Sequence, residues 1–404
     1  MATIDEQIKI LTAGAQDVVR IEDLTKKLEA NRPLRVKLGV DPTASDIHLG
    51  FAVVLSKLRQ FQDLGHTAVL IIGDFTAMLG DPSGRSATRP QLEKEQVDAY
   101  AATYVEQAER ILDPKRLEIR RNSEWLGKMG IDDILRLTAR TTVAQMIERD
   151  DFSRRYQSGE PISLMEFLYP LLQGWDSVVI ESDVELGGTD QLFNNLVGRT
   201  LQQQVGQSAQ VVMTMPLLVG TDGEQKMSKS LGNFIGITEA PEVMFGKIMS
   251  IPDESMAQYF SLTTRWHPDQ VAQVNADVVS GEMTPVAAKR LLARTVVDLY
   301  HGSGEAAEAE FDSVFKSHDQ PADIPEHELD FSSARDQKLS LAEVLNQAGL
   351  AKSNREGRRL IEQGGVRWEG ESVSEAEAAF SAAELDGTVL QVGRRRWVRL
   401  VSPD

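Results

Sequence analysis

Hydrophobic residues along this chain change period from two to about 3.6 and back, and each change predicts a boundary between strand and helix. Residues 34–40 alternate as a strand, residues 49–64 repeat apolar positions at helical spacing up to Gly65, and Thr67–Ile72 is a strand-length apolar run. This is a βαβ unit. The pattern returns further on, where residues 183–186 and 210–214 read as strands around a helix-like stretch at 191–204. An α/β fold with a Rossmann-like parallel sheet is predicted, with ligands expected beyond the strand ends.

Between the two halves, residues 93–111 and 131–148 are helix-like and apolar on one side, which suits either an intramolecular layer or a contact between subunits. From 241 to about 301 the pattern is helical throughout, clearest at 271–279 and 286–300. Residues 317–329 are acidic, contain proline and lack a regular apolar period, so a linker is expected there. Residues 1–31 read as amphipathic helix carrying Asp5, Glu6, Glu22 and Asp23, unlike an export signal. The longest apolar run, at 68–72, falls far short of the roughly 20 residues of a membrane span. A soluble, cytoplasmic protein without a membrane partner is expected.

Composition changes this picture in two places. The 404 residues include six histidines and no cysteine, which excludes disulfides and thiolate metal sites. The net charge of -18 argues at first against nucleic acid. Its distribution argues otherwise: residues 302–337 hold ten acidic and two basic side chains, residues 351–400 eight acidic and nine basic. Within that tail Lys352 precedes Arg355, Arg358 and Arg359, and the three arginines at i, i+3 and i+4 share one helical face that could meet successive phosphates. A solvated helix with Glu356 and Glu362 as partners is the plainer reading of the tail alone.

Two motifs carry the chemistry. Lys226-Met227-Ser228-Lys229-Ser230 places two ammonium groups three residues apart on a breaker-flanked loop, and Asp41-Pro42-Thr43-Ala44-Ser45-Asp46-Ile47-His48-Leu49-Gly50 joins the first strand to its helix. Lysines are point charges on flexible stems, able to follow a departing pyrophosphate, and Ser228 and Ser230 add hydroxyl donors. His48 stands at a helix start, where free N–H groups favour anions, and Gly50 permits close approach. A solvated basic turn and a capping histidine are the alternatives, and the pairing of the motifs disfavours both.

With these motifs the chain resembles the bacterial tyrosyl-tRNA synthetases of class I, through KMSKS and the His48-Leu49-Gly50-Phe51 version of the HIGH signature. Residues 72–77, Gly80-Asp81-Pro82-Ser83-Gly84-Arg85, residues 169–176 and Gly187-Gly188-Thr189-Asp190-Gln191 match as well, and the resemblance covers nearly the whole chain. It implies a catalytic domain at 1–231 with a dimerisation insertion at about 90–165, and an α-helical anticodon-arm domain at 232–316. An acidic linker at 317–338 and an S4-like RNA-binding domain at 339–404 would follow. Tyrosine would be activated with ATP and Mg²⁺ and passed to tRNA(Tyr) by a homodimer, with no tightly bound cofactor and no protein-held metal.

The resemblance also assigns residues. Asp81, Tyr169, Gln173 and Asp176 would surround the amino acid together with Gly39 and Asp41. Thr43 and His48 would lie beside the phosphates, Gly188 and Asp190 near the ribose, and Gln191 by the α-phosphate. Gly50, Phe51, Met227, Ser228 and Ser230 would line the ATP site. His48, Lys226 and Lys229, with Arg85 and Arg89, would meet the pyrophosphate, and Lys352, Arg355, Arg358 and Arg359 the tRNA. Asp176 suits tyrosine because a phenol hydroxyl needs a buried acceptor, which phenylalanine would leave unpaired.

Three positions depart from relatives. Phe51 replaces the second histidine of HIGH, Lys37 stands where one branch has a phenol-binding tyrosine, and Glu185 where that branch has glutamine. The opposite signs of Lys37 and Glu185 lead us to expect a charge-assisted pair at the back of the pocket. Rival readings are a tryptophanyl-tRNA synthetase, which Asp176 and the S4-like tail oppose, an RNA-binding protein derived from a synthetase, and a small-molecule nucleotidyltransferase.

Overall fold

The computed structural model describes residues 2–42, 46–81, 93–316, 324–332, 334, 338–373, 375, 378–393 and 396–401. Thr43, Arg85 and Arg89 lie outside the described residues. The chain forms two compact units, Met1–Glu308 and Ala309–Asp404.

The first unit is built on six strands: β1 (Asp17–Val19), β2 (Arg35–Val40), β3 (Thr67–Ile72), β4 (Leu117–Arg121), β5 (Val184–Gly188) and β6 (Val211–Met215). Their order is β1-β6-β5-β2-β3-β4. All neighbours are parallel except β1, which pairs antiparallel with β6 at the edge. Strands β2, β3, β5 and β6 are largely buried, as the continuous apolar runs of a sheet covered on both faces require. From β2 the chain proceeds outward one way through β3 and β4, and from β5 the other way through β6. The reversal between β2 and β5 opens a crevice at their carboxyl ends, the place where such sheets hold ligands.

The helix Leu49–Asp63 connects β2 to β3, and Leu192–Gln204 connects β5 to β6. Leu164–Ile180 packs on Leu192–Gln204, and their closeness depends on two small residues: a Cβ at Gly174 would lie 3.0 Å from the backbone nitrogen of Gly198. Ser163 and Glu166 form a capping box that starts the Leu164–Ile180 helix, and Glu166 is further held by Arg155 at 2.5 Å.

Several expectations are corrected. The amphipathic N-terminus is two helices, Ile4–Thr12 and Ile21–Glu29, separated by β1, because Gly14 takes a positive φ of 71°. The stretch at 131–148 breaks into Ile131–Thr138 and Val143–Ile147, since the Thr142 hydroxyl accepts the Gln145 N–H and starts a new helix. The expected linker ends in ordered structure: Glu326–Glu328 adds a parallel strand beside Arg396–Val401, with Ile324 and Leu329 buried. Residues 317–323 lie outside the described ones.

The second unit carries a five-stranded sheet and the helices Leu341–Gln347 and Asn354–Glu362, packed around Leu341, Leu345, Ile361, Val366 and Leu390. Lys352, Arg355, Arg358 and Arg359 are exposed along the second helix and its start. Among the described residues no helix is long and apolar enough to cross a membrane.

Candidate active site

Alternation along β2 turns positions 37, 39 and 41 to one side. Lys37 is fully buried, whereas Gly39 is the one exposed position of the strand, with nothing within 4 Å of where a Cβ would stand. Asp41, just past the strand, accepts from the Tyr169 hydroxyl at 2.8 Å and from Thr76 Oγ1 at 2.7 Å. Gly73 makes room for this carboxylate, since a Cβ there would lie 2.1 Å from Asp41 Oδ1. Open space above Gly39 is thus bounded by a cation at the strand's interior and a carboxylate at its end.

The helix Leu164–Ile180 supplies Tyr169, Gln173 and Asp176 at i, i+4 and i+7. Asp176 Oδ1 accepts from Trp125 Nε1 at 2.8 Å, and Oδ2 faces Asn122 Nδ2 at 3.4 Å. Burial pushes the Asp176 carboxyl up to about 7, held back by the charge of Lys37 and by these two donors. The Tyr169 phenol is driven well above its ordinary value by burial and by the neighbouring carboxylates Asp41 and Asp81.

The expected pair is present. Lys37 Nζ lies 2.8 Å from Glu185 Oε1, and the register explains it, because Lys37 and Glu185 are direct partners across β2 and β5. The ammonium also donates to Ser177 Oγ at 2.8 Å and to the Gln173 carbonyl at 3.0 Å, so its three donors are satisfied. Glu185 receives further bonds from Ser177 Oγ at 2.9 Å and from Gln210 Nε2.

At the end of β5, Gly187 and Gly188 lead into a 3-10 turn, Thr189–Gln191. A Cβ at Gly188 would lie 2.7 Å from Asp190 Oδ1, so glycine lets that carboxylate fold back over the strand end. Burial and nearby Asp81 raise the Asp190 carboxyl, opposed by Lys226. Gln191 Nε2 donates to Asp81 Oδ2 at 2.9 Å, which joins this turn to the amino-acid side.

The two motifs meet. Met227 Sδ lies 3.3 Å from the Gly50 nitrogen, and Lys229 Nζ pairs with Asp46 at 2.7 Å. Glycine at 50 suits this contact, as a Cβ would crowd His48 Nδ1 at 3.0 Å and Met227 Cβ at 3.3 Å. Backbone stitches hold the loop's far side: Leu49 N–H donates to Ile235 O at 2.8 Å and Ile237 N–H to Ile47 O at 3.0 Å. Within the loop Ser228 Oγ and Ser230 Oγ are 2.9 Å apart, and Asn233 Oδ1 accepts the Ser228 N–H at 2.8 Å. Val219 bridges to Lys226 at its start.

His48 occupies the N-cap position of its helix without a side-chain capping bond. Its Nδ1 is buried with no hydrogen-bond partner among the described residues. Burial, then the charge of Lys229, lowers its pKa to about 4, so the imidazole is neutral at pH 7. Phe51 packs edge-on against Tyr104 of the Lys94–Glu109 helix, ring centroids 5.5 Å apart.

The structure therefore gathers Gly39, Asp41, Asp81, Tyr169, Gln173, Asp176, Asp190 and Gln191 around the ends of β2 and β5, with the Lys37–Glu185 pair inside the sheet behind them and His48, Gly50 and the KMSKS loop adjoining. The tail arginines belong to the second unit. Sequence reasoning missed Asn122 and Trp125, which follow β4, and Thr76, Ser177, Asn194 and Gln210. The alternating Leu-Glu-Ile-Arg-Arg of β4 could locate the strand that the first two follow, though not their contact with Asp176.

The model of class I tRNA synthetases (W and Y) matches residues 29–315. The chain is 50% identical over 403 residues to the tyrosine–tRNA ligase of Moorella thermoacetica, covering 98% of this chain and 96% of that protein. It is also 50% identical over 407 residues to that of Salinibacter ruber, covering 99% and 98%. Among solved structures, a C-terminally truncated mitochondrial tyrosyl-tRNA synthetase of Aspergillus nidulans is similar in fold, with a TM-score of 0.64, 21% identity and coverage of 78% of this chain and 95% of that one. The tyrosyl-tRNA synthetase of Archaeoglobus fulgidus, solved with L-tyrosine, gives a TM-score of 0.62 at 24% identity, covering 76% and 99%.

Proposed function

We infer how this chain works from one premise: it belongs to the class I tRNA synthetases of the tryptophan and tyrosine group, and its activity is that of a tyrosine–tRNA ligase. It uses ATP to activate tyrosine and then charges tRNA. The roles of individual residues, the metal, the dimer and the cytoplasmic location are our proposals.

The carboxylate of tyrosine attacks the α-phosphorus of ATP, the bond to the β-phosphate oxygen breaks, and pyrophosphate leaves. The tRNA terminal ribose hydroxyl then takes the acyl group and releases AMP. No enzyme nucleophile is needed, so the residues act by positioning and electrostatics. Tyrosine lies over Gly39, its phenol toward Asp176 and its ammonium toward Asp81, Tyr169 and Gln173. The observation that carries this reading is the open space over Gly39, flanked by the buried Asp176 and by the Asp41–Tyr169 contact. His48, in neutral form, donates a hydrogen bond to the phosphates, and Lys226 and Lys229 meet charge as it moves to the leaving group, alongside Thr43, Arg85 and Arg89. Mg²⁺ bound to the ATP phosphates would supply charge neutralisation.

Two surfaces complete the proposal. Ile131, Leu135, Val143, Tyr156 and Leu164 expose apolar side chains on the insertion, with Leu164 81% exposed, and a second copy of the chain would cover them. Lys352, Arg355, Arg358 and Arg359 would meet tRNA phosphates. The test is ATP–pyrophosphate exchange with tyrosine, phenylalanine and tryptophan at equal concentration. Exchange with tyrosine alone is expected, and tryptophan-dependent exchange would overturn the pocket assignment.

A further inference from the structure

Side-chain amides present oxygen or nitrogen to a ligand depending on which way they are turned, and an amide by itself has no preference. Gln173, Gln191 and Asn194 form such a set around the amino-acid site. Something of fixed polarity must orient them. We propose that Arg149, on the helical insertion, is a positioning residue that sets the polarity of these amides through Asn194; the proposal rests on the assignment of Gln173 and Asp81 to tyrosine made above.

The chain of bonds runs in one direction. Arg149 Nη1 donates to Asn194 Oδ1 at 3.4 Å, a long bond whose sense is nonetheless fixed because a guanidinium has no acceptor. Asn194 Nδ2 must then face inward, and it donates to Gln173 Oε1 and to Gln191 Oε1, both at 3.1 Å. With its oxygen so engaged, Gln191 turns Nε2 to Asp81 Oδ2 at 2.9 Å. An ionised carboxylate only accepts, so the far end fixes the same sense as the near end. Gln173 Nε2 lies 3.4 Å from Gln191 Oε1 and 3.2 Å from the Asn195 amide, and its Oε1, held by Asn194, keeps a second lone pair for a ligand cation, whereas a reversed amide would present N–H groups to the tyrosine ammonium.

Arg149 is built to hold this position. It is 6% exposed, pairs two-pronged with Asp151 at 2.6 and 2.7 Å, and its guanidinium carbon stands 3.8 Å from the centre of the Phe152 ring. Both partners start the Asp150–Ser158 helix of the insertion. Asn194 is completely buried on the Leu192–Gln204 helix. The insertion thereby reaches the amino-acid site without touching substrate.

The experiment compares Arg149→Gln, Arg149→Lys, Asn194→Asp, Gln173→Ala and the Arg149→Gln/Asn194→Asp double variant in the full chain, reading KM for tyrosine and for ATP by pyrophosphate exchange, with melting temperature. Arg149→Gln removes the enforced donor, and Asn194→Asp replaces the inward N–H groups by an acceptor while leaving the Arg149–Asp151 pair intact. Each is expected to raise KM for tyrosine about ten-fold with KM for ATP within about two-fold, and Arg149→Lys to recover part of the loss. The double variant should lose little beyond either single one, because both act through the same bond. Equal rises for both substrates, additive losses, or an unchanged tyrosine KM in folded Asn194→Asp overturn the relay. If Gln173→Ala itself leaves tyrosine binding unaltered, the site assignment fails instead. Should Arg149→Gln not fold, Asn194→Asp decides.

Discussion

Replacing Lys37 by methionine removes one half of an ion pair whose side chains are 0% and 1% exposed. Methionine fills much the same volume, so the main loss is electrostatic. Breaking a buried pair by deleting one partner costs about 3–5 kcal/mol, because the remaining charge stays desolvated. Glu185 retains bonds from Ser177 and Gln210, which places the expected loss near the lower end, about 3 kcal/mol. A typical stability of about 5–15 kcal/mol leaves the variant folded. The Lys37→Met/Glu185→Gln double variant removes both charges and should return to within about 1 kcal/mol of the parent. A second readout is independent of stability. Lys37 opposes the upward push of burial on Asp176, so in Lys37→Met that carboxyl rises further and tyrosine binding at neutral pH weakens. Urea unfolding followed by tryptophan emission measures the first effect, and tyrosine titration across pH the second. A single variant as stable as the parent, or a double variant no better than the single, would refute the reasoning.

Burial pushes Asp176 from an ordinary carboxyl value of 3.8 up to about 7, so the folded state holds its proton more tightly between those values. Stability it contributes is therefore present below pH 4 and lost as pH rises through 7, by up to about 4 kcal/mol; Asp176→Asn should relieve that loss progressively, in denaturation curves taken from pH 4 to 8. Tyrosine affinity should move the other way and improve between pH 6 and 8, because the phenol donates best to the ionised carboxylate. Lys229→Ala should lower the adenylation rate by a factor of about 10²–10³ with tyrosine affinity and fold intact, since its partner Asp46 is half exposed; an unchanged rate would remove Lys229 from the mechanism. Gly39→Val should fold normally, as nothing lies within 4 Å of the added Cβ, yet raise KM for tyrosine by more than it raises KM for ATP in pyrophosphate exchange.

Most of the sheet was legible because its strands are buried on both faces and announce themselves as apolar runs; Thr67–Ile72 has the bounds the pattern predicts. Edge strands were not, since β1 is only three residues of a segment otherwise helical, and β4 alternates charged with apolar side chains. The site divides in the same way. The opposite signs of Lys37 and Glu185 were visible in the sequence, and the register across β2 and β5 supplies the contact. Asn122, Trp125 and Asn194 could not be assigned, because each acts by touching a residue some 20 to 55 positions away along the chain, at a distance that no local periodicity records.

The KMSKS loop is fastened at both ends and lightly latched in the middle. The Val219–Lys226 bridge and the Ile47–Ile237 stitches anchor it, while between them, among the described residues, the Lys229–Asp46 pair and the Met227 sulfur rest on the opposite motif. An exposed ion pair contributes at most about 1 kcal/mol. Lys229 can therefore leave Asp46 for a departing anion without disturbing the stitches that anchor the loop at its ends.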